Sequence, residues 1–412
     1  MFQTIEKAAS QARALVAPYK TKIEASAEAN FRRVLDCFRA EHVSAQCFHA
    51  SDGYGYDDMG RDKLEELYAR VFGTEAALVR QQMISGTHAI TLALMGNLLP
   101  GDELLYVGMP YDTLQKVIGI KGDAAGTMLE MGIHFRVVDV DFTVLDPAPI
   151  VAAIRPQTKI VAIQRSRGYA WRPSLSVAQI ETIIRAIKTA YPHMIVFVDN
   201  CYGEMVEPYE PSHIGADLMA GSLIKNLGAG LAPGGGYIVG RQELVERAAY
   251  RLSVPGAGRE VGASLISNRL FYQALFMAPQ IVKEAVLGSL FISAFLPQFG
   301  FSVSPALTEP RADIIVSVRM QSKEQLIGFC QGIQKYSPID SFVRPEPAPM
   351  PGYENDVIMA AGTFIQGSTI ELSADAPLRE PYIVYMQGGL NRYHVEYALC
   401  QTMAEMDDQG LL

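Results

Sequence analysis

The sequence has few charges and no surplus of basic residues. Charged side chains make up 19% of the 412 residues, and 44 acidic residues outnumber 35 lysines and arginines, giving a formal net charge of −9. Proteins whose main partner is a nucleic acid or an anionic membrane usually present basic surfaces. We therefore expect neither partner here. The 49% of hydrophobic residues indicates a large buried core instead.

Paired cysteines, metal motifs and long apolar runs are also lacking. The five cysteines are scattered without a CxxC motif, and the seven histidines show no metal-site spacing. The longest apolar run, 286–301, contains Pro297 and is shorter than the ~18–20 residues that span a bilayer. The polar N-terminus has no unbroken apolar stretch typical of a signal peptide. We predict a cytoplasmic protein with reduced thiols and no metal, in which 286–301 is a buried helix leading into a strand.

Between residues 75 and 240, short apolar strands alternate with helical patterns. FRVVDV, KIVAIQ and MIVFVDN are rich in Val and Ile, and SVAQIETIIRAIKTAY is an amphipathic helix with Ser176 as its predicted N-cap. The stretch GGGYIVG is predicted to be an antiparallel strand. Strands buried on both faces and separated by helices indicate a mostly parallel sheet.

The pattern changes after about residue 275. It predicts a long helix at 276–296, short strands near 313–318, 357–360 and 369–372, and a last helix at about 390–407. We predict an α/β protein in three parts. These are an N-terminal helical arm (1–50), a large domain (51–275) and a smaller C-terminal α+β domain (276–412).

Polar residues at strand ends are the candidate site, because ligands of open α/β sheets bind at the carboxyl ends of the strands. Asp199 ends one apolar run, and Lys225 ends the next, 26 positions later. A buried aspartate is costly unless paired, so Asp199 is either a turn residue or an acceptor for a protonated ring nitrogen. Lys225 is either a solvated charge or a desolvated amine. Desolvation would lower its pKa and make it a nucleophile toward an aldehyde.

A phosphate site is predicted where a helix follows the strand EAALVR. Ser85, Gly86, Thr87 and His88 begin this helix, where free N–H groups and the helix dipole favour an anion. The alternative is an ordinary N-cap, with His88 a satisfied helix-end histidine rather than a cofactor ligand. Ser222, three residues before Lys225, adds a hydroxyl on the same side.

Taken in order, these features resemble the fold type I enzymes that use pyridoxal phosphate (PLP). In such enzymes a phosphate cradle is followed by an aspartate at a strand end and then by Ser-x-x-Lys. The aspartate keeps the cofactor ring protonated, and the lysine holds the cofactor as a Schiff base and moves protons. The resemblance implies a PLP-dependent transferase fold with a mostly parallel, seven-stranded type of sheet.

Within that class the chain resembles the Cys/Met-metabolism enzymes, which include cystathionine lyases and methionine γ-lyase. Residues 54–90 follow the order of that group: a tyrosine-containing loop, a helix, G-x-E-A-A-L-V and a Ser-Gly motif. The strings at 164–169, 221–226, 371–382 and 387–390 resemble cystathionine β-lyase-like proteins associated with aluminium resistance. The likeness covers nearly the whole chain.

The resemblance also implies individual roles. The phosphate ligands would be Ser85, Gly86, Thr87 and Ser222. Tyr111 would stack on the pyridine ring, with an interface aromatic as the alternative. Tyr54 or Tyr56 would reach the phosphate of a partner subunit, in a homodimer or dimer of dimers. Two motifs depart from the usual lyase pattern: Ile224 replaces a threonine, and Tyr56-Asp57-Asp58 replaces Tyr-Ser-Arg, leaving Arg61 as the candidate arginine.

The implied activity is cleavage of a carbon–sulfur bond in a sulfur-containing amino acid. The carboxylate of such a substrate requires a cation, best a bidentate arginine. Arg379 is our first choice and Arg392 the second, with Arg167 and Arg172 behind them; a surface or interdomain ion pair is the alternative for Arg379. Two other functions stay open: another PLP reaction such as transamination, and a catalytically weak PLP protein with a role in metal stress.

Overall fold

The computed structural model describes residues 2–412, and its largest element is a seven-stranded sheet. The strands of this sheet are β1 (Ala76–Arg80), β2 (Glu103–Val107), β3 (His134–Val138), β4 (Thr158–Gln164), β5 (Ile195–Asp199), β6 (Leu218–Ser222) and β7 (Gly236–Gly240). They lie in the order β1-β7-β6-β5-β4-β2-β3. The neighbours from β6 to β3 pair in parallel, and β7 is antiparallel to both β6 and β1. The predicted mostly parallel sheet and the antiparallel strand after Lys225 are confirmed.

Eleven α-helices are found in the described residues. They are α1 (Phe2–Val16), α2 (Lys20–Ala40), α3 (Met59–Phe72), α4 (Gly86–Asn97), α5 (Asp112–Ile118), α6 (Ala148–Ala153), α7 (Val177–Ala190), α8 (Gln242–Leu252), α9 (Arg269–Phe295), α10 (Lys323–Lys335) and α11 (Arg392–Asp408). The predicted N-cap of α7 is confirmed, because the Ser176 hydroxyl accepts the N–H of Gln179 at 3.3 Å. Gly73 ends α3 with φ +62°, a left-handed conformation that favours glycine.

Both faces of the large sheet are buried, because successive side chains of a strand point to opposite faces. In β5, Val196 and Val198 belong to an apolar cluster that also contains residues of α3, α7 and the first half of α9. Ile195 and Phe197 belong to another cluster, together with α4 and α8. The Val- and Ile-rich composition of these strands follows from this double burial.

A second sheet of five antiparallel strands lies in the C-terminal part. Its strands are β8 (Ser302–Ser304), β9 (Ile315–Arg319), β10 (Val357–Ala360), β11 (Ser373–Pro377) and β12 (Ile383–Gln387), in the order β10-β11-β12-β9-β8. The predicted strand at 369–372 is wrong. The Glu371 carboxylate accepts the N–H groups of Phe364 and Ile365 at 2.8 and 3.0 Å, and the chain bends there before β11 begins. We did not predict β12.

The helix α9 runs through two apolar clusters. Its residues up to Val286 pack with the large sheet, and those from Leu287 pack with the small sheet. The predicted buried helix followed by a strand at 286–301 is confirmed, although β8 begins just after this run. Arg269–Phe299 is long and apolar enough to cross a membrane, but 67% of the apolar window is buried in the fold. The predicted domain limit at 275/276 falls inside α9, so the domain limits stay a prediction.

Candidate active site

A cavity of about 620 Å³ opens at the carboxyl ends of β4, β5 and β6. Five of the predicted site residues line it: Gly86, Thr87, Tyr111, Asp199 and Lys225. They come from four separate stretches of chain, which the parallel strand order brings to one edge of the sheet. This edge is where ligands of open α/β sheets bind.

Asp199 is the last residue of β5 and is almost fully buried. One of its carboxylate oxygens accepts the backbone N–H of Cys201 at 3.1 Å. Burial raises the pKa of Asp199, while the bonds from Cys201 and the charge of Lys225 oppose that shift. An ionised Asp199 is therefore stabilised by any cation that enters the cavity beside it.

Lys225 follows β6, and its ammonium lies 4.6 Å from the centre of the Tyr202 ring. Burial lowers the pKa of Lys225, but Tyr202, Cys201 and Asp199 together raise it by more, so the net shift is upward. The prediction of a lowered pKa is wrong for the free amine. It considered burial but not the acidic groups that neighbouring elements place around the lysine.

The start of α4 forms one end of the cavity. The N–H groups of Gly86 and Thr87 belong to the first helical turn, which has no intrahelical acceptors for them. A Cβ at position 86 would lie 3.0 Å from the Ser222 Cβ, so this glycine allows α4 to approach β6 closely. Because Gly86 lines the cavity, Ser222 is beside the cavity although it is not part of its lining. The hydroxyl of Thr87, which also lines the cavity, is 3.0 Å from the Tyr111 hydroxyl.

Ser85 and His88 use their side chains locally. The Ser85 hydroxyl accepts the N–H of His88 at 3.1 Å, as an N-cap does. The His88 Nδ1 accepts the N–H of Ile84 at 3.3 Å, and burial lowers the pKa of this histidine. The Ser85 hydroxyl and carbonyl thus both accept N–H groups of the helix start, and the cofactor contacts of Ser85 and His88 stay a prediction.

Tyr56 lies away from the cavity of its own chain. The residue is 64% exposed, and its ring stacks on Tyr54 with ring centres 5.4 Å apart. Arg61, the candidate for the missing loop arginine, is buried and donates to the carbonyl groups of Gly55 and Gly262 at 2.7 and 3.2 Å. Arg61 therefore fixes the tyrosine-containing loop, and in this chain its guanidinium does not face solvent.

The four candidate arginines lie in different settings. Arg379 is at the rim of the cavity, where its Nη1 is 3.6 Å from the carboxylate of the lining residue Asp112. Arg392 pairs with Glu284 at 3.1 Å, outside the cavity. Arg167 is buried and donates to the Ser304 carbonyl at 2.6 Å, and Arg172 donates to the Ser166 carbonyl at 2.6 Å. Arg379 is partly exposed and lies beside a lining residue, whereas the guanidinium of Arg172, which is also beside the lining residue Ser166, already donates to backbone carbonyl groups.

Sequence reasoning missed an aromatic wall of the cavity. Tyr169, Tyr202 and Tyr353 line it together with Lys225. Tyr202 comes three residues after Asp199, so the strand-end argument that found Asp199 also covers it. Tyr353 lies in the Pro-rich loop that follows α10 and carries no local signal. Behind the wall, Asp375 accepts the Tyr169 hydroxyl at 2.8 Å.

Comparison with known proteins agrees with this arrangement. Residues 5–407 match the family model described as methionine gamma-lyase. The chain is 50% identical over 413 residues to the uncharacterized protein YnbB of Bacillus subtilis, covering 100% of this chain and 98% of that protein. It is 30% identical over 218 residues to the L-methionine gamma-lyase of Pseudomonas putida, about half of each chain (51% and 49%).

A solved structure from Clostridium novyi gives the same result in three dimensions. This protein is described as a carbon-sulfur lyase involved in aluminum resistance, and it is 44% identical with a TM-score of 0.94, over 98% of our chain and 96% of its own. The family and its structural relatives indicate a cystathionine β-lyase-like carbon–sulfur lyase. The family uses pyridoxal phosphate. The match over almost the whole length, together with the strand-end lysine and aspartate, shows that the chain belongs to the methionine gamma-lyase family.

Proposed function

We propose that this protein is a PLP-dependent lyase that cleaves a carbon–sulfur bond of a sulfur-containing amino acid. The observation that carries the proposal is the opening of Lys225 and Asp199 onto one cavity that also receives the N-terminus of α4. An amine, a buried carboxyl and an anion-binding helix start are the three groups that an aldehyde-bearing pyridine phosphate requires.

The residues present fit the cofactor. Burial raises the pKa of Asp199, so its ionised form is stabilised by a nearby cation, and a protonated ring nitrogen would be that cation. The close approach of Gly86 to Ser222 would place a hydroxyl beside the first turn of α4, where the phosphate would bind. Lys225 would hold the aldehyde carbon, and Tyr111 would cover the ring.

The cofactor, when bound, draws electrons away from the bonds at the α-carbon of the amino acid. The remaining tasks belong to the chain. Asp199 keeps the ring nitrogen protonated, and the Lys225 amine takes and returns a proton at the α-carbon. Burial raises the pKa of Tyr111, so its hydroxyl stays protonated and is available as a donor to a leaving sulfur atom.

The substrate carboxylate would bind Arg379. Its side chain is 39% exposed and its Nη1 lies 3.6 Å from the Asp112 carboxylate, so it is both accessible and close to the cavity. Arg392 is less suitable, because it is already paired with Glu284.

We further propose a cytoplasmic homodimer, or a dimer of dimers. The stacked and exposed pair Tyr54 and Tyr56 would be placed against the phosphate site of the neighbouring subunit. Sedimentation and activity assays test this assembly, and a fully active monomer would contradict it. A role in aluminium resistance belongs to the same proposal, since the Clostridium novyi relative is described in those terms.

The test combines a spectrum with a product assay. Purified protein reconstituted with PLP should absorb in the visible range, and K225A should lose the absorption that depends on the covalent link. Incubation with cystathionine, cysteine or methionine should release pyruvate or 2-oxobutyrate. Absence of product with all three would contradict the lyase. Stoichiometric conversion of the cofactor to its pyridoxamine form by an amino donor would indicate an aminotransferase instead.

A further inference from the structure

A buried carboxyl lies directly behind the cavity wall and has no part in the proposed chemistry so far. Asp375 is on β11 of the small sheet and is 2% exposed. Its Oδ2 accepts the hydroxyl of Tyr169 at 2.8 Å and also the side-chain amide of Gln387 on β12. Its Oδ1 is buried and finds no hydrogen-bond partner in the described chain. A carboxyl with one unsatisfied buried oxygen is costly and requires an explanation.

The two oxygens of Asp375 have different tasks. Both donors reach Oδ2, so this oxygen serves as an acceptor in either protonation state. The titrating proton therefore belongs on Oδ1. Burial raises the pKa of Asp375 to about 6, against the bonds from Tyr169 and Gln387, which lower it. Titratable groups that face Asp375 from other elements are Tyr169, Tyr202, Tyr353, Lys225 and Cys330.

Tyr169 connects this carboxyl to the cavity. It follows β4 of the large sheet, and its ring stacks on Tyr385 with centres 4.9 Å apart and lies 5.7 Å from Tyr353. The preceding Gly168 has φ +56°, and a Cβ there would lie 2.9 Å from the Gln164 amide nitrogen. The ring is thus held by its backbone, by its neighbours and by the bond to Asp375.

The place of Tyr169 in the cavity determines what it contacts. Lys225 and Tyr169 line the same space, so an amino acid bound at Lys225 has its side chain or its carboxylate against the tyrosine wall. A wall that moves would change how the substrate is held without removing any group from the reaction. The bond between Tyr169 and Asp375 also joins a loop of the large sheet to a strand of the small one.

We infer that Asp375 is a positioning residue, which holds Tyr169 against the bound amino acid through a hydrogen bond that weakens when Oδ1 is protonated. A carboxylate accepts a stronger, charge-assisted bond than the neutral acid does. The wall is therefore firmly held above about pH 6 and loosely held below it. The inference rests on the proposed function for its kinetic consequence but not for the titration itself.

The test uses the PLP-loaded protein and the variants D375N and Y169F, with Y385F as the matched control. Infrared spectra across pH should show a protonated carboxyl that disappears with a midpoint near 6 in wild type. D375N should lack this band, and Y169F should shift its midpoint upward because a donor that favours the anion is lost. Y385F keeps the bond to Asp375, so its midpoint should stay as in wild type. A wild-type midpoint near 4, or no shift in Y169F, would overturn the inference even if no lyase substrate is found.

The kinetic arm follows once a substrate is known. In wild type the KM should rise on acidification below about pH 6, whereas D375N and Y169F should show a KM raised about ten-fold at neutral pH and little dependence on acid. Thermal melting confirms that each variant is folded. The positioning role would be contradicted if D375N had the KM of wild type at neutral pH and the same rise in KM on acidification.

Discussion

Two clusters of buried charged residues both include members of the segment 199–210. They differ in the hydrogen-bond and ion-pair partners that their side chains have. In the paired cluster, Arg165 is fully buried, and its two Nη nitrogens donate to Asn200 at 2.8 Å, to Glu207 at 2.9 Å and to Glu210 at 3.2 Å, while its Nε has no partner among residues 2–412. The open cluster consists of Asp199, Glu204 and Lys225. Glu204 accepts the Tyr237 hydroxyl at 2.9 Å with one oxygen, while its other oxygen is buried and has no partner among residues 2–412.

The difference distinguishes charged residues that stabilise the fold from charged residues that serve the candidate active site. Asp199 and Asn200 are adjacent in sequence, yet Asn200 bonds to Arg165 and Glu210, and Asp199 lines the cavity. A buried group with its partners in place holds the fold together. A buried group left short of partners beside a cavity gains further stabilisation from something that binds there. The comparison predicts that variants of the two clusters affect different measurements.

The largest expected effect is that of K225A, in the open cluster. Turnover should fall by at least ~10²–10⁴-fold, the contribution typical of a positioned acid–base group, while the melting temperature changes little. Steady-state kinetics and thermal melting check the two parts. K159A is the matched control, because Lys159 is an exposed lysine of β4. A K225A protein that turns over normally would remove the open cluster from catalysis.

R165M should have the opposite effect. Removing one partner of a buried ion pair leaves uncompensated carboxylates, which costs about 3–5 kcal/mol of unfolding free energy. Urea unfolding measures this loss, with R185M as the control. Arg185 belongs to an exposed helical pair with Glu181, worth only ~0.3–0.5 kcal/mol. Equal stability of R165M and R185M would show that the paired cluster is not structural.

E204Q should change how stability depends on pH. Burial raises the pKa of Glu204 to about 8, with the nearby Glu210 adding to the rise and Tyr237 and Lys225 opposing it. A folded pKa above the ordinary value means that the stabilising contribution is present at low pH and is lost as the pH rises toward 8. Wild type should therefore lose on the order of 3 kcal/mol relative to E204Q between about pH 5 and pH 8. Unfolding curves at three pH values check this. A difference in unfolding free energy between wild type and E204Q that does not change with pH would contradict the raised pKa of Glu204.

R379M should give the smallest effect, because Arg379 is half-exposed and loosely paired. Loss of its contact with a substrate carboxylate should raise KM about ten-fold, or ~1.4 kcal/mol, with kcat less affected. R379K keeps the charge without the planar fork and should lie between wild type and R379M. An unchanged KM in R379M would assign the carboxylate to another cation.

The sequence predicted the large sheet well because its signal is local. Strands such as β5 are apolar throughout, and a chain buried on both faces leaves that composition in every strand. The small sheet was harder. The bend at 369–372 depends on bonds from Phe364 and Ile365 to Glu371, and β8 has only three residues, too few for a period to be visible.

The candidate site divides in the same way. Asp199, Lys225 and the start of α4 stand directly after apolar runs, so their positions could be predicted from their neighbours in sequence. Tyr353 reaches the cavity from a distant loop, and Asp375 lies behind the cavity wall on a distant strand, and no local pattern shows either position. The pKa of Lys225 was predicted in the wrong direction for the same reason, since Tyr202 and Cys201 raise it from another segment.

The helix α9 has a consequence for how the molecule comes apart. Its 27 residues are shared between the apolar cluster of the large sheet and that of the small sheet. A helix forms cooperatively, so melting one half of α9 while the other half stays folded is energetically costly. The two sheets should therefore lose their structure together, and calorimetry of the monomeric unit should record one heat-absorption peak rather than a separate peak for each sheet.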